Sequence, residues 1–355
     1  MSALKSTLAF RRGTAMLFAA VFLLAVSATA QYSATNLTSN MSGVGNFTDP
    51  NLVNAWGIAA LPGGPFWVSD NGTGLSTIYN LQGEPQQLAV TIPSASGSGI
   101  GTPTGIVANI SSDFQITEGT HTAPALFLFA TEDGTISGWN PTVDGTNAII
   151  AINNSASRAV YTGLAIAITP SGNFIYAADS NNNLVDIYDG NFHFVRSFSD
   201  NSLPTGFTPY GIQVIRNKLY VTFNKRGTAS GYVNTYDLSG GSQVHLVSAG
   251  FLNAPWSVVL APQNFGPMSN ALLVGNLGSG WINAYNPTTG EFLGYLNHGG
   301  TQITIDELWG LTFAAAPFVT APGRLYFTAG PGGYSNGLFG VITADSATLD
   351  IRDVR

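Results

Sequence analysis

Six times after residue 50 the chain repeats one order of residues. An aromatic or small residue is followed by glycine and aliphatics, then by an apolar stretch ending in a polar residue, then by a turn and a stretch ending in an aromatic. The first copy holds Trp56-Gly57-Ile58, Phe66–Asp70 and Thr77–Asn80; the second holds Thr104-Gly105-Ile106, Leu126–Thr131 and Thr135–Asn140. The third holds Thr162-Gly163-Leu164, Phe174–Asp179 and Leu184–Asp189; the fourth holds Tyr210-Gly211-Ile212, Leu219–Asn224 and Tyr232–Asp237. The fifth holds Trp256-Ser257-Val258, Ala271–Asn276 and Trp281–Asn286; the sixth holds Trp309-Gly310-Leu311, Leu325–Ala329 and Gly337–Ile342. The anchor position, glycine everywhere except at Ser257, recurs at spacings of 48, 58, 48, 46 and 53 residues. A period of that length built from short β-prone stretches is a four-stranded propeller blade rather than a helical pair.

Each copy but the last carries a further β-prone segment before the next anchor: Gln87–Ile92, Ala148–Asn153, Phe194–Phe198, Val244–Val247 and Phe292–Leu296. The sixth copy lacks one, while Tyr32–Leu37 is a spare strand ahead of the first anchor. The expected fold is therefore all-β, a six-bladed β-propeller of four-stranded blades whose ring is closed by the N-terminal strand, hiding a sheet edge. Thr348–Arg352 in the tail is the competing closing strand. Glycine (42 residues) and a charged content of only 9% fit many tight turns and few helices.

The first thirty residues differ from the rest. Lys5, Arg11 and Arg12 precede an apolar run from Ala15 to Val26, and Ala28-Thr29-Ala30 precedes Gln31. The run is too short to cross a bilayer comfortably and ends in a small-residue cleavage pattern, so residues 1–30 are expected to be a Sec-type signal peptide, with an uncleaved anchor as the alternative. Residues 31–345 form one propeller domain and 346–355 a short tail, in a protein that is secreted or periplasmic and free of the membrane after cleavage. The absence of cysteine excludes disulfides and thiolate metal sites. Without residues 1–30, nine basic residues face nineteen acidic ones, a net charge of −10. That sign excludes nucleic acid as a partner, because phosphate backbones are bound by clusters of Lys and Arg.

The copies resemble NHL-type propellers in their Gly-Ile strand, their Leu-Tyr-Val-Ala-Asp-like strand and their closing Tyr-Asp. More closely, the runs NLVNAWGI, PFWVSDNGTG, FATEDGTISGWN, LYVTFNK, ALLVGNLGSG, ELWGLTF and LYFTAGP are similar to those of an uncharacterised family of exported bacterial six-bladed propellers. That resemblance implies the fold and export, and carries no assigned activity or catalytic residues.

Two residue sets are candidates for a site. The position before each anchor holds Trp56, Thr104, Thr162, Tyr210, Trp256 and Trp309. Where the inner strands begin, Trp56, Tyr210, Trp256 and Trp309 are expected either to floor a binding site for a sugar or apolar ligand or to pack between blades. The second strands close on Asp70 with Asn71, Glu132 with Asp133, Asp179, Asn224 and Asn276, with Gly330 at the sixth position. Asp70, Glu132, Asp179, Asn224 and Asn276 either ring the channel mouth as oxygen ligands for Ca²⁺ or cap their own turns.

Other motifs fail on context. Asp179–Gly190 begins like a calcium loop but has Leu184 and Gly190 where an EF-hand needs Gly and Glu. Gly333-Tyr334-Ser335-Asn336-Gly337 spells a hydrolase elbow without the following helix. His121, His193, His245 and His298 show no metal-ligand spacing, and Asn36, Asn46 and Asn109 begin glycosylation strings that an Asn- and Thr-rich chain produces freely. The expected role is a monomeric ligand- or protein-binding scaffold for an unknown small molecule, glycan or protein, with a calcium-dependent lactonase-like hydrolase as the alternative.

Overall fold

A computed structural model describes residues 32–314 and 323–345. Six blades, each of four antiparallel strands, follow one another in chain order, and the sixth carries a short fifth strand, Phe47–Thr48, parallel to its outer edge. In the first blade the strands run Ala55–Ala60, Phe66–Asp70, Leu75–Tyr79 and Val90–Thr91 from the axis outward. The inner strands of the other blades are Pro103–Ala108, Tyr161–Thr169, Thr208–Ile215, Pro255–Leu260 and Leu308–Phe313. The sixth blade is completed by Tyr32–Ser39, antiparallel to Leu338–Ala344, so the ring closes through the N-terminal strand. The competing strand Thr348–Arg352, like the signal peptide expected at residues 1–30 and the expected tail, lies outside the described residues.

The closing strand is locked at its start by Tyr32. Its buried hydroxyl donates to the Phe265 carbonyl at 2.8 Å and accepts from the Met268 N–H at 2.9 Å, tying the sixth blade to a loop of the fifth.

Hydrophobic burial is organised between blades, not within them. Six buried clusters each join two neighbours, as where Trp67 and Ile78 of the first blade meet Phe127 and Phe129 of the second. A seventh, of Trp56, Trp256 and Trp309, sits where inner strands of three blades meet. The cores of the second strands are apolar and covered on both faces, whereas outer strands such as Phe194–Phe198 are largely exposed. This explains why continuous apolar runs mark the second strands so clearly in the sequence.

The uneven repeat spacing has a structural cause. An extra hairpin, Gln115–Glu118 with His121–Pro124, is inserted between the first two strands of the second blade, which owns the 58-residue interval. A second, Asn297–His298 with Thr301–Gln302, precedes the sixth blade and lengthens the 53-residue interval. Neither hairpin was expected from the sequence.

Candidate functional site

The anchor glycines mark the closest approach between blades. A Cβ on Gly57 would lie 2.5 Å from the Thr104 carbonyl oxygen, one on Gly163 2.9 Å from that of Tyr210, and one on Gly310 2.6 Å from that of Trp56. Only a residue without a side chain fits. Ser257 departs from the rule because its pairing partner is Gly275, which vacates the space that Ser257 fills. In the fourth and sixth blades the arrangement is inverted, with Gly211 facing Thr222 and Gly310 facing Thr328.

Each inner strand also shifts register at the anchor, for example between Ala55 and Ile58, between Pro209 and Ile212 and between Leu308 and Leu311. Such a bulge sets two residues against one and re-aims the residue before the glycine. In the Trp-bearing blades the strand follows a non-glycine residue in left-handed conformation, Asn54 (φ 48°), Ala254 (φ 50°) and Glu307 (φ 52°). Backbone of that kind costs energy and persists only where surrounding contacts fix it.

The result is an aromatic plug. Trp56 stacks on Trp309 with centroids 3.6 Å apart, Trp256 stands edge-on to both at 6.2 and 5.8 Å, and Tyr210 lies 6.3 and 6.2 Å from Trp56 and Trp309. The Trp256 indole N–H donates to the Thr162 carbonyl of the third blade at 2.9 Å. Along the glycines the remaining axial space is about 50 Å³. At the plug opens a cavity of about 1010 Å³ that Trp56, Trp309 and Tyr210 line. The tryptophans are 1–8% exposed and are spent mostly on one another. The aromatic faces left for a ligand are those of Tyr210 and of Tyr334, whose ring lies 5.8 Å from Trp309. Tyr334 belongs to the Gly333–Gly337 segment, which therefore contributes an aromatic wall and not a nucleophile: Ser335 Oγ is bonded to the Gly332 carbonyl.

Around the plug runs a one-way hydrogen-bond chain. Trp309 Nε1–H donates to Asn54 Oδ1 at 3.0 Å, Asn54 Nδ2 to Asn71 Oδ1 at 3.0 Å, and Asn71 Nδ2 to Glu132 Oε2 at 2.9 Å. An indole only donates and a carboxylate only accepts, so both amides have a single permitted orientation. The chain fixes Glu132 at the cavity wall. Burial first, and the nearby Glu132 charge second, hold the Tyr210 hydroxyl above the ordinary phenol range, so it stands as a neutral donor. No protein partner takes that hydroxyl among the described residues.

The second-strand polar residues divide into two groups. Asp70 is fully buried and accepts from the Thr77 N–H and hydroxyl; Asp179 accepts from the N–H groups of Val160, Asn181 and Asn182; Asn276 accepts from the Asn253 N–H and donates to the carbonyls of Val274 and Trp281. These three brace their own turns and the loop before their own blade. Only Glu132 and Asn224 line the cavity. Among the described residues no three His, Asp or Glu side chains form a group able to hold a metal ion, so the arrangement gives the calcium-dependent lactonase reading no support.

Sequence reading noted Asn71 beside Asp70 but missed Asn54, Asn181, Asn253, Arg226 and Tyr334 as site residues, and all six line the cavity. All but Tyr334 come from loops at the ends of inner or second strands, and their only signal was position: each follows a second strand or precedes an inner one. None of the four histidines lines the cavity.

No family model matches the chain. "Uncharacterized protein R648" of Acanthamoeba polyphaga mimivirus is 32% identical over 328 residues, spanning 87% of this chain and 79% of that protein. "Uncharacterized protein L690" of the same virus is 31% identical over 337 residues, spanning 90% and 87%. Among solved structures, virginiamycin B lyase from Staphylococcus aureus superposes with a TM-score of 0.54 at 14% identity, covering 89% of this chain and all of that one. A streptogramin B lyase gives 0.52 at 11%, covering 88% and 97%. Likeness at such identity is likeness of fold. The relatives found are viral where the sequence resemblance pointed to bacterial proteins, and the NHL-like pattern reflects the strand and turn chemistry that propeller blades share. With about a third of its residues identical along most of both lengths, the chain belongs to the family of these two mimivirus proteins.

Proposed function

We propose that the protein is a binding propeller that takes a polyhydroxylated ring compound, a saccharide unit or short oligosaccharide, into the mouth cavity. The observation that carries this reading is the composition of the cavity lining, where Asn71, Asn181, Asn224 and Asn253 accompany the Tyr210 and Tyr334 rings. Amides offer donor and acceptor together, as hydroxyl pairs require, and aromatic faces pack against the apolar face of a sugar ring. Asn224 has no side-chain hydrogen bond among the described residues, and a volume of about 1010 Å³ admits more than one ring. Placement outside the cytoplasm, read from residues 1–30, accords with a saccharide ligand and is part of the proposal.

The lyase neighbours suggest a second chemistry only through fold, which is a weak guide to reaction. Titration of the purified protein with neutral and acidic oligosaccharides, followed by tryptophan fluorescence and calorimetry, tests the reading. We expect saturable binding of at least one class, lost in Tyr210→Ala. Failure of every saccharide at millimolar concentration would refute it.

A further inference from the structure

We infer that the saccharide recognised in the mouth cavity carries a carboxylate, as a uronate does, and that Lys225 and Arg226 on one lip receive it. The inference rests on the saccharide reading above and adds the charge of the ligand. Beyond residue 30 the chain has only nine basic residues against nineteen acidic ones. Two of those nine are adjacent and both line the cavity. No Lys or Arg among the described residues lies within ion-pair distance of a carboxylate, the ion pairs there being made by histidines. Two neighbouring cations left without a counter-ion repel each other, and an arriving anion relieves that repulsion.

The lip is built, not frayed. Thr228 bonds the Lys225 carbonyl through both its N–H, at 3.1 Å, and its hydroxyl, at 2.7 Å. Lys225 Nζ donates to the Thr205 carbonyl at 3.0 Å, and its stem lies over Gly206. Arg226 has no partner among the described residues, and its charge is felt at the hydroxyls of Tyr210 and Tyr334. Its planar fork matches a carboxylate in two parallel bonds.

Charges of the other sign lie elsewhere around the mouth. Glu132, in the cavity lining, is held by Asn71, while Glu307 and Asp306, outside the lining, accept from the N–H groups of Tyr334 and Gly332. A ligand with one negative charge at one end and hydroxyls elsewhere is oriented by this field. A phosphate ester, with nearly two charges, is repelled more strongly by these carboxylates and finds no α-helix N-terminus among the described residues to offset them.

Calorimetry with glucuronate, its methyl ester and glucose 6-phosphate decides the matter. We expect the acid to bind at least about tenfold tighter than the ester, as a charge-assisted bond would give, with the preference shrinking in 0.5 M salt by screening. Arg226→Ala and Lys225→Ala, exposed substitutions that should leave the melting temperature unchanged, should bring the acid down to the affinity of the ester. Equal affinity for acid and ester, or a preference that survives the double variant, overturns the carboxylate assignment while leaving a saccharide site in place. Tighter binding of glucose 6-phosphate overturns it in favour of phosphate. If no saccharide binds, this inference and the underlying reading fall together.

Discussion

The inverted Ser257–Gly275 pair permits a quantitative test of blade equivalence. Introducing Gly275→Ala drives a Cβ into Ser257 Oγ, with the ends of Leu311 and Leu308 at 3.1 and 3.2 Å. The two leucine ends can give by a few tenths of an ångström, whereas the serine Cβ is held by the strand pairing of its own backbone and the hydroxyl can yield only by turning about χ1. Overpacking of a buried site costs about 1–3 kcal/mol. Ser257→Gly alone should range from neutral to stabilising by up to about 2 kcal/mol: glycine in a strand costs about 0.5–1 kcal/mol, while the substitution removes a buried hydroxyl that has no partner, a penalty of about 1–3 kcal/mol. In the double variant the serine clash is gone and only the leucine contacts remain. The cost of Gly275→Ala should therefore fall below about 1 kcal/mol, a coupling of roughly 1–2 kcal/mol. Urea unfolding followed by tryptophan fluorescence, with unchanged m-values, measures all four states. Additivity within about 0.5 kcal/mol would show that the two positions do not share one space, and the account of the anchor would fail.

Three further outcomes follow from the same geometry. Asn54→Gly, which tolerates the positive φ of that position, should cost about 1–3 kcal/mol by leaving the Trp309 N–H without an acceptor, and should weaken ligand binding by freeing Glu132; urea titration and calorimetry read the two effects separately. Tyr32→Phe should cost about 1–3 kcal/mol through the orphaned Phe265 carbonyl and Met268 N–H, seen as a lower urea midpoint with unchanged saccharide affinity. Burial, with a smaller contribution from the Asp49 charge, raises the Asp70 carboxyl in the fold although its bonds to Thr77 oppose this. The unfolded chain then loses that proton first, so stability should decline as pH climbs above about 4, by at most about 1.4 kcal/mol per pH unit from this group, until folded Asp70 ionises. Asp70→Asn should flatten that slope in urea midpoints measured from pH 4 to 8.

The architecture was legible because the signals that specify it are local and recur six times. Glycine at the tight inter-blade approach, apolar second strands covered on both faces and the spare strand at Tyr32 each leave a mark on neighbouring residues. Of the site, the aromatic cluster of Trp56, Tyr210, Trp256 and Trp309 was foreseen as a convergence, yet its tryptophans are buried in one another. The cavity wall was not legible. Asn54, Arg226 and Tyr334 come from loops of the first, fourth and sixth blades, and nothing in their immediate sequence shows that the ring brings them to one mouth. The polar second-strand ends looked equivalent along the chain. Asp70, Asp179 and Asn276 turn inward to brace loops while Glu132 and Asn224 face the cavity, a difference set by which N–H groups the adjoining turns leave unpaired.

The aromatic plug and the ring that holds it compete for the same backbone. In the second and third blades the residue before the anchor is Thr, and its hydroxyl bonds the next inner strand, Thr104 to the Tyr161 carbonyl at 2.7 Å and Thr162 to the Tyr210 carbonyl at 2.8 Å. In the fourth and sixth blades the bond to the next inner strand comes instead from the second strand, Thr222 to the Trp256 carbonyl at 3.3 Å and Thr328 to the Trp56 carbonyl. Moving the hydroxyl there releases the position before the anchor, and those positions carry Tyr210 and Trp309. The first and fifth blades, with Ser69 and Gly275 opposite the anchor, make no such bond among the described residues, and there the packing of Trp56 and Trp256 against their neighbours must hold the blades together. An aromatic on the axis therefore requires either a relocated threonine or a plug that replaces it. That trade accounts for the concentration of the site's aromatics on the first, fourth, fifth and sixth blades, and for the third blade, whose axial position is Thr162, instead supplying the carbonyl that receives Trp256.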